Sequence, residues 1–277
     1  MDNKEIINKS FKKAIGGGIA GSSAMAIQIT SLMWLRTTMN YQYRYGGGIS
    51  ESIKKLYLEG GIRRFYRGYA PAILIGPLSR FGDTASNAYV VSYFEKSNLP
   101  IYIQTLCGSI VASSWRAFLM PIDAVKTTLQ VEGKNGLKLL KNKIKLKNPS
   151  ILYHGTLASM SATFVGHYPW FLTYNILNEK LPKYDNNYKK FLRNAFIGFN
   201  SAVISDCFSN SLRVIKTVKQ TNNKVISYKD TVNNIIKTDG ISGLFGRGLK
   251  TRILTNGIQG ILFTVCWKSI EESFSSK

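Results

Sequence analysis

Histidine and cysteine are scarce in this chain: two histidines, His154 and His167, and three scattered cysteines, Cys107, Cys207 and Cys266, in 277 residues. No Cys-x-x-Cys pair and no zinc-ligand spacing occurs, which removes the residues that metal coordination or a disulfide framework would need. The cysteines fall in apolar segments and read as small hydrophobes. Enzyme chemistry finds no foothold, and neither a cofactor nor a metal is expected. Gly16-Gly17-Gly18 and Gly21 read as close-packing positions, because no Lys-Ser/Thr follows them as a phosphate loop requires.

Acidic residues are also in short supply, 15 Asp and Glu against 37 Lys and Arg, for a net charge of +22. Charge alone would suggest a nucleic-acid binder. Apolar runs argue against that partner. No residue from Ala14 to Leu35 or from Gly155 to Asn178 carries a formal charge, and each run is about long enough to cross a bilayer as a helix. Other apolar segments are interrupted by Arg80, Asp83, Arg116 and Asp206. Such helices suit a bundle surrounding water, and they account for a mean hydropathy of only −0.06.

The chain repeats itself. Arg36-Thr37, Lys126-Thr127 and Lys216-Thr217 are spaced 90 residues apart, and the same register aligns Gly18, Gly108 and Gly198, then Ser31, Pro121 and Ser211, then Asn40, Gln130 and Gln220. Tyr66-Arg-Gly68, Tyr153-His-Gly155 and Gly246-Arg-Gly248 each open a second apolar stretch. A unit repeated three times buries its surface against its own copies, so the 277 residues form one domain of repeats 11–98, 101–184 and 191–274. Spans are expected over 13–39, 69–94, 101–130, 156–177, 194–220 and 249–270. Between the members of each pair lies a short amphipathic element, ending before Glu59-Gly60-Gly61 in the first repeat and Asp239-Gly240 in the third. The middle copy, Leu137 to Leu146, is lysine-rich and runs into Asn148-Pro149.

Segments 36–68, 123–155 and 213–252 hold 7, 7 and 9 basic residues against two acids each. By the positive-inside rule they stay on the side equivalent to the bacterial cytoplasm, in mitochondria the matrix, and both termini face away from it. Met1 to Lys13 mixes Asp2 and Glu5 with lysines, and no cleavable signal is expected.

Pro121-Ile-Asp123-Ala-Val-Lys126-Thr-Thr-Leu-Gln130 resembles the signature of the mitochondrial carrier family, Pro-x-Asp/Glu-x-x-Lys/Arg with glutamine four residues on. The resemblance covers nearly the whole chain. It implies an all-α membrane protein of three pseudo-symmetric repeats: six transmembrane helices with short matrix-side amphipathic helices around a central cavity, working by alternating access. It places the chain in the mitochondrial inner membrane as a multi-pass protein, with a peroxisomal or plastid membrane as the alternative, since some members of the family reside outside mitochondria. A monomer is expected, with a small-molecule solute and membrane lipid, including anionic lipid such as cardiolipin, as partners.

In the family the acid of one repeat pairs with the base of the next to close a matrix gate. Here the matching set is Arg36, Pro121, Asp123, Lys126, Gln130, Arg213, Lys216 and Gln220, with Met33 and Arg213 where acids belong. One link, Asp123 to Lys216, is all this pattern allows; Arg36 would meet Arg213 and Lys126 would meet Met33. An outer gate maps to Tyr174, Lys268 and Glu271, the last two with reversed signs.

The family's contact points map to Ile75-Gly76, Ala162-Thr163 and Thr255-Asn256. Arg80, Arg116, His167 and Asp206 are the further positions assigned to the cavity by the resemblance, with Asp83 close to Arg80; two arginines balance two aspartates, and Arg80 and Asp83, at i and i+3, read equally as a local ion pair. Arg116 and Asp206 are read either as a structural pair or as solute contacts, and His167 as a hydrogen-bonded interior residue or a ligand. Balanced charge and uncharged contact points favour a zwitterionic or weakly charged polar metabolite. Two functions remain: transport of that solute, or a carrier-like adaptor that has lost transport, which the eroded gates would suit.

Overall fold

A computed structural model describes residues 25–94 and 101–275, and every regular element in them is helical. In the first repeat α1 covers 25–45, α2 is Ile49–Phe65 and α3 is Tyr69–Phe94. The second contains α4 (Ile101–Phe118), α5 (Met120–Glu132), α6 (Gly136–Lys147) and α7 (Thr156–Lys180). The third contains α8 (Asn187–Thr221), α9 (Tyr228–Gly246) and α10 (Leu249–Ser275). Gly16 to Gly21 lie outside the described residues.

One proline explains the extra helix of the middle repeat. Pro121 has no N–H to return to the preceding turn, and the rod expected over 101–130 breaks at Leu119 into α4 and α5. Serine stands at the matching place in α8, which runs unbroken for 35 residues through Ser211, and in α1, which runs through Ser31.

The amphipathic elements differ from expectation. Helices α2 and α9 do not stop at their glycines but kink there and resume, with Gly61 at φ 61° and Gly240 at φ 69°. The lysine-rich middle segment is a full helix, α6, stopped at Asn148, the one non-glycine residue with positive φ among those described.

No described helix is long and apolar enough to cross a membrane. Several have the length, but polar residues interrupt them, and the polar side chains point inward. Ser109, Ser113, Ser201, Ser205 and Ser209 are buried, whereas Leu106, Ile110, Leu157, Phe164, Tyr168, Leu172 and Phe208 are exposed. This inverts the usual distribution of a soluble protein, and an apolar exterior of this extent marks a contact surface.

Helix α7 packs on α8 and α4, α3 on α4, and α10 on α8. Tyr43 of α1, Val214 and Val218 of α8, and Ile235 of α9 form a buried cluster across the first and third repeats. The repeat glycines explain how the copies join. Gly68, Gly155 and Gly248 have φ of 82°, 93° and 66°, a region that L side chains avoid. A Cβ on Gly68 would lie 2.9 Å from the Lys126 carbonyl of α5, one on Gly155 3.3 Å from the Lys216 carbonyl of α8, and one on Gly248 2.7 Å from the Tyr43 ring of α1. Each repeat thus lays its glycine turn against the first long helix of the next copy, and the order closes: first on second, second on third, third on first.

Candidate functional site

A cavity of about 450 Å³ opens between the repeats. Its walls come from equivalent positions on α3, α7 and α10, because residues four, seven, eight and eleven beyond a repeat glycine share one helical face. Those residues are Ala72, Ile75, Gly76 and Ser79; Ser159, Ala162, Thr163 and Gly166; and Arg252, Thr255, Asn256 and Gln259, and all twelve line the cavity. The structure therefore brings together the six uncharged contact positions expected from the sequence. His167 joins them, with Nδ1 3.0 Å from Ser109 Oγ of α4.

The charged residues are arranged differently from the expectation. Asp206 lies against Arg252, Oδ1 accepting from Nε at 2.5 Å, and its other oxygen accepts from Asn256 Nδ2. The described partner of Asp206 is thus Arg252 on α10, not Arg116. Arg116 lines the cavity on α4. Arg252 was not singled out in the sequence, although a signal was there: the place four residues after each repeat glycine holds alanine, serine and arginine, and only the third copy carries a charge.

At the far end of the cavity Asp123 accepts from Lys216 of the next repeat. Its second oxygen accepts from Lys126 Nζ on its own helix at 2.5 Å. Lys126 therefore folds back on Asp123 instead of facing Met33, which is fully buried with its sulfur 3.6 Å from Gln130 Nε2. Gln130 Oε1 accepts from Asn40 at 2.6 Å, joining two matched residues of adjacent repeats, and Gln220 Nε2 lies 3.9 Å from Met120 Sδ. Arg36 donates to Gln259 Oε1 at 3.0 Å, and Arg213 Nε to Ser209 Oγ at 3.3 Å. Neither described bond joins Arg36 to Arg213. Like charges at such a place repel by about 4 kcal/mol at ~4 Å and an effective dielectric of 20, and each finds a neutral oxygen instead.

Among the described residues the cavity lining is consequently basic. Arg36, Arg116, Lys126, Arg213, Lys216 and Arg252 line it against Asp123, with Asp206 behind Arg252. The expected balance of Arg80 and Arg116 against Asp83 and Asp206 did not count Arg252 or the gate residues, and two of its four members fall outside the described side chains. Side chains of Arg80, Asp83, Lys268 and Glu271 lie outside the description. At the opposite end Tyr174 stacks on Trp170, ring centroids 5.1 Å apart, and Asn178 Oδ1 accepts from Arg193 Nη1 of α8 at 2.9 Å.

Comparison with known proteins agrees with this architecture. The mitochondrial thiamine pyrophosphate carrier 1 of Candida albicans is 26% identical over 172 residues, covering 57% of this chain and 56% of that one. A mitochondrial carrier-like protein of Acanthamoeba polyphaga mimivirus is 28% identical over 144 residues, 52% of this chain and 57% of its own. The matched part spans about half the length of both. Mitochondrial substrate carrier family protein X of Dictyostelium discoideum is 25% identical over 280 residues, 95% of this chain and 92% of its own. The family model described as mitochondrial carrier protein matches three times, over residues 8–98, 97–185 and 187–277. With three matches that follow the repeats along almost the whole sequence, the chain belongs to the mitochondrial carrier protein family.

Proposed function

We propose that this protein transports a small polar metabolite across the mitochondrial inner membrane by alternating access. The observation that carries the reading is the cavity itself: three helices in equivalent positions contribute the same face to one solvent-sized space, with an ion pair between repeats, Asp123 to Lys216, at one end. A symmetric path that can close at either end is what alternating access requires. The basic excess supports a solute with at least one anionic group, zwitterions included, and Arg213 and Arg116 are the candidate counter-charges. The thiamine pyrophosphate named for the Candida relative has such a chemistry.

The six long helical rods cross the bilayer together. None is apolar enough to span alone, and the inward serines and outward Leu, Phe and Tyr side chains support a bundle whose polar faces meet one another and the cavity. In this reading the lysine-rich α6 lies on the matrix side and both termini on the other. The protein works as a monomer in contact with anionic lipid.

A thermal-shift screen of purified protein against small metabolites tests the reading, because a ligand bound to the folded state at 100 times its Kd adds about 2.7 kcal/mol of stability. Uptake of the stabilising solute into proteoliposomes then completes the test. A folded protein that neither shifts with any solute nor supports uptake refutes transport and leaves the adaptor reading, which the charge-poor outer gate favours.

A further inference from the structure

Three basic side chains outside the cavity fasten one repeat to the next. Arg64, near the end of α2, donates Nη1 and Nη2 to the carbonyls of Gln130 and Val131 in α5, at 2.7 and 2.6 Å. Lys143 of α6 donates to the Gln220 carbonyl of α8 at 3.0 Å. Arg247, just after α9, donates Nη1 to the Arg44 carbonyl of α1 at 3.2 Å. All three side chains are buried. Every acceptor lies within the last four residues of its helix, where carbonyls have no partner inside the helix and the dipole is negative. The order runs first repeat to second, second to third, third to first, as for the glycine turns. The arginines are held in place by acids of their own repeats, Glu59 at 2.6 Å from Arg64 and Asp239 at 2.8 Å from Arg247, while Lys143 has no such anchor among the described residues.

We propose that Arg64, Lys143 and Arg247 form the latch that holds this end of the bundle shut, doing by cation-to-carbonyl clamps what the incomplete ring of ion pairs does not, with the Lys143 junction the easiest to open. The role rests on the alternating-access reading, since only a protein that must open here needs a releasable latch. They are positioning residues: they act on the gate by holding the ends of α1, α5 and α8 against their neighbours.

Lys143 adds a property that the arginines lack. Burial first, and Arg44 next, push its ammonium down to about 8, with Glu132 of α5 opposing. These two are the charged groups that act on it from α1 and α5. If opening returns Lys143 to water and to the ordinary lysine value of about 10.4, the closed form binds fewer protons than the open one between those values. Raising the pH from about 8 to 10 therefore favours closure of the junction between the second and third repeats, and below 8 the balance is level.

The test needs no solute. With the three native cysteines changed to alanine, spin labels on pairs of the exposed positions Lys54, Lys145 and Lys237 report the distance across each junction in full-length protein in lipid nanodiscs. Arg64→Met, Lys143→Met and Arg247→Met are each expected to raise the long-distance population several-fold at their own junction only. For the unaltered protein the Lys145–Lys237 long-distance population falls between pH 8 and 10, and in Lys143→Met and Lys143→Arg it does not. Lys143→Arg keeps the junction closed, because a guanidinium still reaches the carbonyl. Unchanged distances in all three variants with a normal melting temperature overturn the latch, and so does an equal broadening at every junction. A failure of uptake with junction-specific opening intact would instead refute transport and leave the latch standing.

Discussion

The pair Asp206–Arg252 gives the sharpest test of how the cavity is built. Asp206 is 4% exposed at the side chain and Arg252 18%, so Asp206→Ala leaves a largely buried guanidinium without its counter-charge and with the like charge of Arg213 acting on it. Removing one member of a buried pair costs about 3–5 kcal/mol, which for a chain of this size is roughly 6–20 °C in melting midpoint. Removing both costs less than the sum, since no charge is stranded. The two charges attract by about 4 kcal/mol at ~4 Å and an effective dielectric of 20, and the coupling expected from a double-mutant cycle is about 2–3 kcal/mol. The same cycle with Arg116 in place of Arg252 should give under about 1 kcal/mol. Thermal melting in detergent of both single variants, Arg116→Ala and the two doubles supplies all the terms. Stronger coupling of Asp206 to Arg116 than to Arg252 would refute the pairing, and additive losses throughout would show that neither arginine meets Asp206 in solution. If the Asp206→Ala/Arg252→Ala protein melts near the parent but no longer takes up a solute the parent transports, the pair belongs to the recognition of that solute.

Gly248→Ala should lower the melting temperature, since its φ of 66° alone costs about 1–2 kcal/mol in any other residue and the Tyr43 ring occupies the methyl's place. Gly198→Ala, with open space around it in the middle of α8, should instead raise stability by up to about 1 kcal/mol, and equal effects of the two would contradict the glycine-turn packing. Ser211→Pro in the uninterrupted α8 should cost at least ~3 kcal/mol by removing a helical hydrogen bond; melting unchanged from the parent would mean that α8 is already broken there. For Lys143, whose folded value lies below the ordinary one, the folded protein sheds its proton first, so the parent should gain stability relative to Lys143→Met as pH rises from about 8 to 10. Melting curves across that range would refute the sign if the difference shrank.

Much of the architecture was legible because a repeat leaves the same residue types at the same interval. The Arg36, Lys126 and Lys216 register located the glycine turns, and counting seven and eight residues from each turn led to Ile75, Thr163 and Asn256 on the cavity wall. What it did not reveal was anything that breaks the symmetry. Arg252 stands where the other copies hold Ala72 and Ser159, so matching the repeats for shared residues passes over it, and only a search for the odd charge among the three would find it. Lys126 was assigned to a neighbouring repeat, whereas a flexible lysine three residues from Asp123 on one helix has a nearer partner. The kinks of α2 and α9 at Gly61 and Gly240 resemble helix stops in sequence, since a glycine with positive φ is a common helix end, and only the continuing chain shows that these are not.

The clamps differ from the ion pairs of the gate in how they survive change. A link between two side chains is lost when either residue drifts, and two compatible substitutions are needed to rebuild it. Where Arg64, Lys143 and Arg247 reach a backbone carbonyl, half of each link is present whatever residue occupies Gln130, Gln220 or Arg44. Such a joint presents a smaller mutational target, and one substitution can restore it. A chain that relies on it can carry Met33 and Arg213 where acids would otherwise close the ring without coming apart, and Arg213, which lines the cavity, then becomes available for tuning what passes through.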